Sequence, residues 1–439
     1  VFYTGTPGVK NLDQLRERGT GNFNSSNMII YNEPLNKVQR LAVSNNYTFF
    51  REKEEIVTHD WDPVEGKYIL FNDSLSNEMQ RTGARNTSHI VLYNQWKKFA
   101  IHPGVRFISL DIDNDYRKSI SVNQHYFYVV PSLSINVAGL NLSYNVNINE
   151  PSASDLRPVP DNTNPLYIIY GNRDLKPTKS HAFTLSYYKY NNKRLFSWNA
   201  YINTNIQSDA IVRNRSVDNG GVQTSRPVNV DNVWTGFGNI SVSKQFKFNK
   251  NVQLSLRPGI NGNLGQTWVI VNGNKSRSNF YQTGYSMTVS LNYKDKIEWN
   301  QRYNYGWRKS TYENNVFKPV TAITHTSFSE IIVRVSKNWV WENSIDYRYN
   351  PQVAAGISKH VVRWNAGVNY LFLKDNKGQL KLSVYDLLKQ NTNVYRSLYE
   401  NSYTDSQSNT LTRYFLLSFI YNIRDFKGGK VGGRQLFFF

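Results

Sequence analysis

The 439-residue sequence contains no cysteine and only 3 methionines. Without thiols there are no disulfides, no thiolate metal sites and no cysteine nucleophile. A thiol-free chain also suits export through an oxidising compartment, where stray cysteines mispair. No run of about 18 apolar residues occurs, which excludes a membrane-spanning helix. No basic segment followed by an apolar one opens the sequence, so no signal peptide is expected within it. Hydrophobic residues make up 39%, below the roughly 45–50% of ordinary packed domains.

Chemical signatures are scarce as well. There is no GxSxG elbow, no phosphate-binding Walker loop and no HExxH. The seven histidines, His59, His89, His102, His125, His181, His325 and His360, have no close metal-ligand spacing and read as rim or lumen residues. Asp111, Asp113 and Asp115 are spaced like the start of a calcium loop, but the glycine and later glutamate of an EF-hand are missing, so a solvated turn is expected. Gly236-Phe237-Gly238 reads as close packing within a strand. No catalytic residue, cofactor or metal ligand is assigned, and the chain is not expected to be an enzyme.

Aromatic residues are plentiful at 14%, with 30 Tyr, 23 Phe and 10 Trp, and they fall in a pattern. Trp364, Ala366, Val368, Tyr370 and Phe372 interleave with Arg363, Asn365, Gly367, Asn369 and Leu371. Met287, Val289, Leu291 and Tyr293 alternate with Thr288, Ser290 and Asn292. Successive side chains of a strand point to opposite faces, so each run gives one greasy and one mostly polar face. Such runs of about ten residues repeat along the chain, joined by short turns such as Asn191-Asn192, Asn249-Lys250-Asn251, Lys294-Asp295-Lys296 and Lys337-Asn338. Long connections alternate with the short ones: Asp73–Asn86, Asn214–Val230, Asn272–Asn279, Arg308–Ala322, Asn350–Ser358 and Gln390–Thr410. Short turns at one rim and long loops at the other describe an all-β transmembrane antiparallel β-barrel of the outer-membrane type. About 14–16 strands are visible. Residues 1–30 read as irregular, with a turn or two of helix near Leu12–Arg18 and a loop over Gly21–Asn27. Residues 31–425 read as the barrel and 426–439 as a Gly-rich tail. Asp386-Leu387-Leu388 breaks the alternation and is expected to end a strand.

The net charge of +20 is scattered. Arg213, Arg215, Arg226, Arg257, Arg277, Arg302, Arg308 and Arg334 form no compact stripe, which disfavours nucleic acid. Lumen lining, loop surface and contacts to phosphate-bearing outer lipids account for it, and an attractive field for an anionic solute is the sharper alternative. In Trp341–Tyr349 the apolar side is Trp341, Ile345, Tyr347 and Tyr349. Glu342, Asp346 and Arg348 point the other way. A charge facing lipid costs about 2–4 kcal/mol at the midplane, so these three are placed in the lumen and taken as candidate ligand-binding residues.

Specific stretches carry a resemblance. "NPLYIIYGNRDLKPTKSH" within Pro151–Tyr190, "GVQTSRPVNVDN" (Gly221–Asn232), "LKLSVYDLLKQNTNV" (Leu380–Val394), "TRYFLLSFIYNIRDFKGGK" (Thr412–Lys430) and "YNEPLNK" (Tyr31–Lys37) closely resemble the TonB-dependent-receptor-like outer-membrane barrels of Bacteroidota. The resemblance implies a barrel of about 22 strands, of which this sequence supplies the C-terminal part. It also implies a plug domain and TonB contact in a region N-terminal to this sequence, and nutrient uptake across the Gram-negative outer membrane. The expected partners are outer-membrane lipid and lipopolysaccharide, TonB, and a surface lipoprotein or larger outer-membrane complex. A structural or accessory barrel within a secretion or assembly complex, or a passive pore, are the alternatives.

Overall fold

The computed structural model describes residues 2–3, 10–11, 13–116, 121–158, 160–164, 166–315, 317–353, 358–391, 393–399, 402–408 and 411–422. Among them, one antiparallel wall runs through β1 (Gln14–Pro34), β2 (Gln39–Asp62), β3 (Asn77–Gln95), β4 (Phe99–Tyr116), β5 (Val122–Val137) and β6 (Leu140–Asn149). It continues through β7 (Thr178–Asn191), β8 (Phe196–Ser208), β9 (Val233–Asn249), β10 (Val252–Val271), β11 (Asn274–Tyr293) and β12 (Ile297–Tyr312). It ends with β13 (Val320–Arg334), β14 (Trp339–Tyr349), β15 (His360–Phe372), β16 (Gly378–Tyr385) and β17 (Tyr414–Tyr421). Each strand pairs with the next in this order. Five short strands attach to the wall and bring the sheet to 22 strands.

Every second connection is tight. Ala138-Gly139 joins β5 to β6 and Lys294–Lys296 joins β11 to β12. In both, two successive residues have positive φ, at 48° and 95° for Ala138 and Gly139, and at 51° and 54° for Lys294 and Asp295. That is the backbone of the type I′ turn, which suits the right-handed twist of the strands it joins. Connections at the opposite rim hold the added structure. Between β6 and β7 lie one helical turn, α1 (Ala153–Leu156), and the short strands Asp161–Asn164 and Tyr167–Ile169. Between β8 and β9 lies a hairpin of Ala210–Val217 and Gln223–Val230.

The two faces of the wall separate as the alternation requires. On β4, Phe99, Ile101, Pro103, Val105 and Phe107 share one face, followed on that face by Ser109, Asp111, Asp113 and Asp115. On β5 the matching face carries Phe127, 66% exposed, and Val129, 55% exposed, then Pro131, Leu133, Ile135 and Val137. On β14 the same face runs from Trp339 through Ile345 to Tyr349. Ten residues separate that Trp and Tyr, which at about 3.4 Å per residue and a tilt near 40° gives a band about 26 Å tall. This is the hydrocarbon thickness such a barrel spans, with aromatic rings at both edges.

Above the band both faces are wet, and there the sequence misleads. The segment expected to be irregular is the 21-residue strand β1, paired with β2 residue for residue, Gly21 opposite Lys53 and Asn27 opposite Tyr47. A backbone ladder needs no apolar side chains, and a hypothetical Cβ on Gly19 or Gly21 would touch nothing. The connection expected to run to Asn86 is strand from Asn77 onward. Most of the loop expected over Asn214–Val230 is the β8–β9 hairpin, and Asn272–Asn279 is a tight turn at Asn272-Gly273 followed by strand. Asp111, Asp113 and Asp115 lie on strand β4 rather than in a turn, with Asp111 bonded to His125 at 2.8 Å. The expected end at Asp386 is present: β16 stops at Tyr385, and the Asp386 carboxylate accepts from the backbone N–H groups of Gln390 and Asn391, both at 2.9 Å. The Gly-rich tail, 426–439, lies outside the described residues.

The wall has a seam. No ladder joins β17 to β1 among the described residues, and both strands are largely exposed. In an antiparallel series of seventeen, the first and last strands run in the same direction, so direct closure between them would have to be parallel.

The separation of faces is testable. Ile345→Arg, near the middle of the band, should destabilise the folded protein in vesicles by about 2–4 kcal/mol. Ser344→Arg, one residue away on the polar face, should cost under about 1 kcal/mol. Equal losses in equilibrium denaturant unfolding would overturn the assignment of faces.

Candidate functional site

The face opposite the lipid-facing residues is polar and becomes crowded on β2 to β4. There the chain between β6 and β7, residues 150–177, folds against the wall as a latch. Pro151 is fully buried, and the Ser152 hydroxyl accepts from Asp155 N at 3.2 Å, capping α1. The apolar anchor is a cluster of Met79, Tyr116, Leu156 and Leu175, with Ala153, Val122 and Ile211 packed on it. Each such side chain withdrawn from water contributes about 1.5–3 kcal/mol.

Around this anchor the contacts are charged. Arg157 Nη2 donates to Glu54 Oε2 at 2.7 Å, and both side chains are 8% exposed. Arg18 Nη2 lies 2.6 Å from the other oxygen of Glu54. Asp161 accepts from Arg157 at 3.4 Å and from Arg16 at 3.2 Å. Arg213 donates to Asp155 at 2.7 Å. Arg81 donates to the Pro151 carbonyl at 3.0 Å, and Arg85 to the Ile148 carbonyl at 3.2 Å and to Glu150. Six guanidinium groups thus meet four carboxylates, and the buried Arg81 bonds to a carbonyl rather than to a carboxylate, so these contacts leave an excess of positive charge. Tyr116 closes the cluster from the end of β4, nine residues beyond Phe107 and outside the membrane band. Burial pushes its phenol up to about 12, opposed by Arg81, Arg173 and Arg157, so it stays neutral at physiological pH.

The latch explains two of the stretches singled out in the sequence. Gly171 passes against Arg157, where a Cβ would sit 2.1 Å from the Arg157 carbonyl oxygen. Asn172 donates from its backbone to the Asp155 carbonyl at 2.6 Å and from its side chain to the Pro227 carbonyl at 2.9 Å. Asn229 accepts from Lys176 N at 2.9 Å and donates to the Lys176 and Asp209 carbonyls at 3.0 and 2.7 Å. Tyr170 N donates to the Ser225 carbonyl at 2.8 Å. "GNRDLKP" and "GVQTSRPVNVDN" are therefore two halves of one interlocked unit. An open recess of about 340 Å³ adjoins it, lined by Asn24, Thr48, Phe50, Glu52, Arg81, Arg85 and Glu150 among others.

The sequence-derived candidates lie elsewhere, on the polar face of β14. Asp346 bonds to Arg363 and, at 3.1 Å, to Arg348. Glu342 accepts from Lys381 at 2.8 Å and from Asn369 at 2.7 Å. All three share the face opposite Trp339, Trp341 and Ile345: Asp346 pairs across strands with Arg363, Glu342 pairs with Lys381 two strands away, and Arg348 pairs with Asp346 on its own strand. The latch residues were not singled out as a site. Their sequence signal was the dense Arg, Asp and Pro between Glu150 and Pro177. Among the described residues no three His, Asp or Glu side chains group in a metal-holding arrangement.

A profile of the outer membrane protein beta-barrel family matches residues 4–279 and 249–421. Among solved structures the chain is similar to Pseudomonas aeruginosa OccK5 (OpdH), with 9% identity and a TM-score of 0.23, over 88% of this chain and 98% of that one. It is also similar to a chain of the FpvAI–pyocin S2 complex, with 9% identity and a TM-score of 0.25, over 93% of this chain and 64% of that one. No curated protein matches.

Glu54→Leu should leave Arg157 buried with Asp161 as its only carboxylate and loosen the latch by about 3–5 kcal/mol. Trypsin cleavage after Arg173 in the folded protein should rise accordingly, and Glu54→Leu/Arg157→Met should restore most of the protection. Unchanged cleavage in the single variant would show that the pair does not hold the latch.

Proposed function

The chain belongs to the outer membrane protein beta-barrel family and resides in the outer membrane, and on that premise we propose that it conducts a scarce polar nutrient inward as a TonB-dependent receptor. The observation that carries this reading is the latch: an arginine-rich unit held against the inner wall beside an open polar recess. A positive field focused in a narrow water-filled space raises the local concentration of anionic solutes. Arg81 and Arg85 are the residues we assign to drawing them in. A metal chelate with carboxylate or phosphate groups fits that charge, and the paired charges of Glu342, Asp346 and Arg348 would line its path further round the wall. Energy coupling through TonB and a plug domain rests on the resemblance of the quoted stretches.

The seam supports the same reading. A wall of about 22 strands needs five more than the seventeen described. Five is odd, and an odd insertion restores antiparallel closure between β17 and β1. The seam also favours a second reading. Two uncovered strand edges are places where a strand of another protein can pair, as a structural subunit of a secretion or assembly complex requires.

Arg81→Gln/Arg85→Gln should lower the uptake of an anionic chelate by cells on the order of tenfold, since hydrogen bonds to charged groups are worth about 1.5–3 kcal/mol. Uptake of a neutral sugar should be unaffected. Loss of the gene without effect on growth under any nutrient limitation, together with stoichiometric partners in the purified native protein, would favour the structural reading. A large steady current from the full-length protein in planar bilayers would make it a passive pore.

A further inference from the structure

The lipid-facing side of β11 to β15 carries an arrangement that transport does not use. Tyr285, Tyr305, His325, Tyr349 and His360 stand directly opposite one another across five consecutive strands. Their ring centroids are 6.0, 5.0, 5.5 and 4.8 Å apart in that order. Tyr349 and His360 each sit ten residues above the lower pair Trp339 and Tyr370, so the row lies at the upper edge of the band. Both histidines are held in the same way. Tyr303 hydroxyl bonds to His325 Nδ1 at 2.7 Å, and Tyr347 hydroxyl to His360 Nδ1 at 2.9 Å. In each case the tyrosine lies on the preceding strand, and the histidine is two residues above the position facing it. The unit occurs a third time on β6 and β7, where Tyr144 hydroxyl bonds to His181 Nδ1 at 2.8 Å.

With the phenol donating to Nδ1, the ring proton sits on Nε2. Among the described residues Nε2 of His325 and of His360 has no hydrogen-bond partner, which leaves it as an open donor at the membrane edge in that tautomer. The charge around them is one-sided. The outward positions of β11 to β15 carry no Asp or Glu, whereas the inward positions of β12 to β14 carry Glu298, Glu330, Glu342 and Asp346. Lys309 stands on the outward face of β12, four residues above Tyr305, and is exposed. On β2 to β4, by contrast, outward positions above the band include Glu55, Glu78 and Asp111.

We propose that the row from Tyr285 to His360 is a binding strip for the phosphate groups of outer-leaflet lipid headgroups. Nε2 of His325 and His360 and Nζ of Lys309 are the donors, and the tyrosine rings rest on the upper acyl chains and sugar or glycerol carbons. The strip rests on the membrane placement of the chain and is independent of the transport reading.

The test uses the full chain in phosphatidylcholine vesicles containing a trace of spin-labelled phosphatidic acid or spin-labelled phosphatidylcholine. The wild type should retain the phosphatidic acid label on the order of tenfold more strongly than the other, as a few charge-assisted hydrogen bonds allow. His325→Phe/His360→Phe keeps the rings and removes the donors, and should reduce the preference to within about twofold. Lys309→Gln, outside the aromatic row, should reduce it in part, and reads the proposal even if the double variant does not fold. Inorganic phosphate at millimolar concentration should leave the label in place. No preference in the wild type, an unchanged preference in both variants, or displacement by inorganic phosphate would each overturn the strip.

Discussion

Everything in this fold answers to one constraint: in hydrocarbon a backbone N–H or C=O has no water to bond to, so it must find its partner within protein. A wall of antiparallel strands satisfies each group through its two neighbours, and that requirement leaves the side chains free to be sorted by face alone. The sorting is strict where lipid touches the wall and lapses above it. β4 shows the transition in a single strand, from Phe99 through Phe107 to Asp111, Asp113 and Asp115 on the same face. The seam between β17 and β1 is a place where the constraint is unmet within the described residues. Its two edges therefore have to be covered by protein in the membrane, whichever chain supplies the cover.

The same constraint governs the inner side in a different form. Above the band the wall rises past the membrane, and on β2 to β4 the latch covers part of its inner face beside the open recess. Where the latch withdraws charge from solvent the charge is paired: Glu54 is met by Arg157, both buried, and by the more exposed Arg18, while Asp155 is met by Arg213 and Asp161 by Arg16 and Arg157 at its rim. A buried pair of this kind adds little net stability over an apolar pair but makes the loss of either partner costly. Its effect is to fix where the latch sits. The apolar cluster of Leu156 and Leu175 against Met79 and Tyr116 supplies the gain from burial.

The sequence is legible where one face is lipid and the other water, because only there does polarity alternate with period two. The hairpins from β11 to β16, the inward side of Glu342, Asp346 and Arg348, and the strand end at Asp386 could all be read from residue order. β1 could not, because Gly19 to Asn27 is polar on both faces and its pairing is held by backbone alone. Asp111, Asp113 and Asp115 looked like a turn for the same reason. The latch was hidden for another: its contacts join residues far apart in sequence, Arg157 to Glu54 and Asn172 to Pro227, and no local pattern announces a partner a hundred positions away.

This difference bears on what a family resemblance measures. Alternation is a weak constraint that very many sequences satisfy, because any apolar residue serves on the lipid face and any polar one on the other. The latch is a strong one. Gly171 is required because a Cβ would strike the Arg157 carbonyl, and Asn172 and Asn229 because an amide both donates and accepts across two segments. Of the five stretches that made the sequence recognisable, "GNRDLKP" and "GVQTSRPVNVDN" have specific partners in this unit. The interior unit thus restricts its residues one by one, while the lipid-facing wall restricts only their polarity. The recess beside the latch, lined by Thr48, Glu52 and Arg85, can therefore change its side chains without disturbing the glycine and the asparagines, whose partners lie in the other segments of the unit.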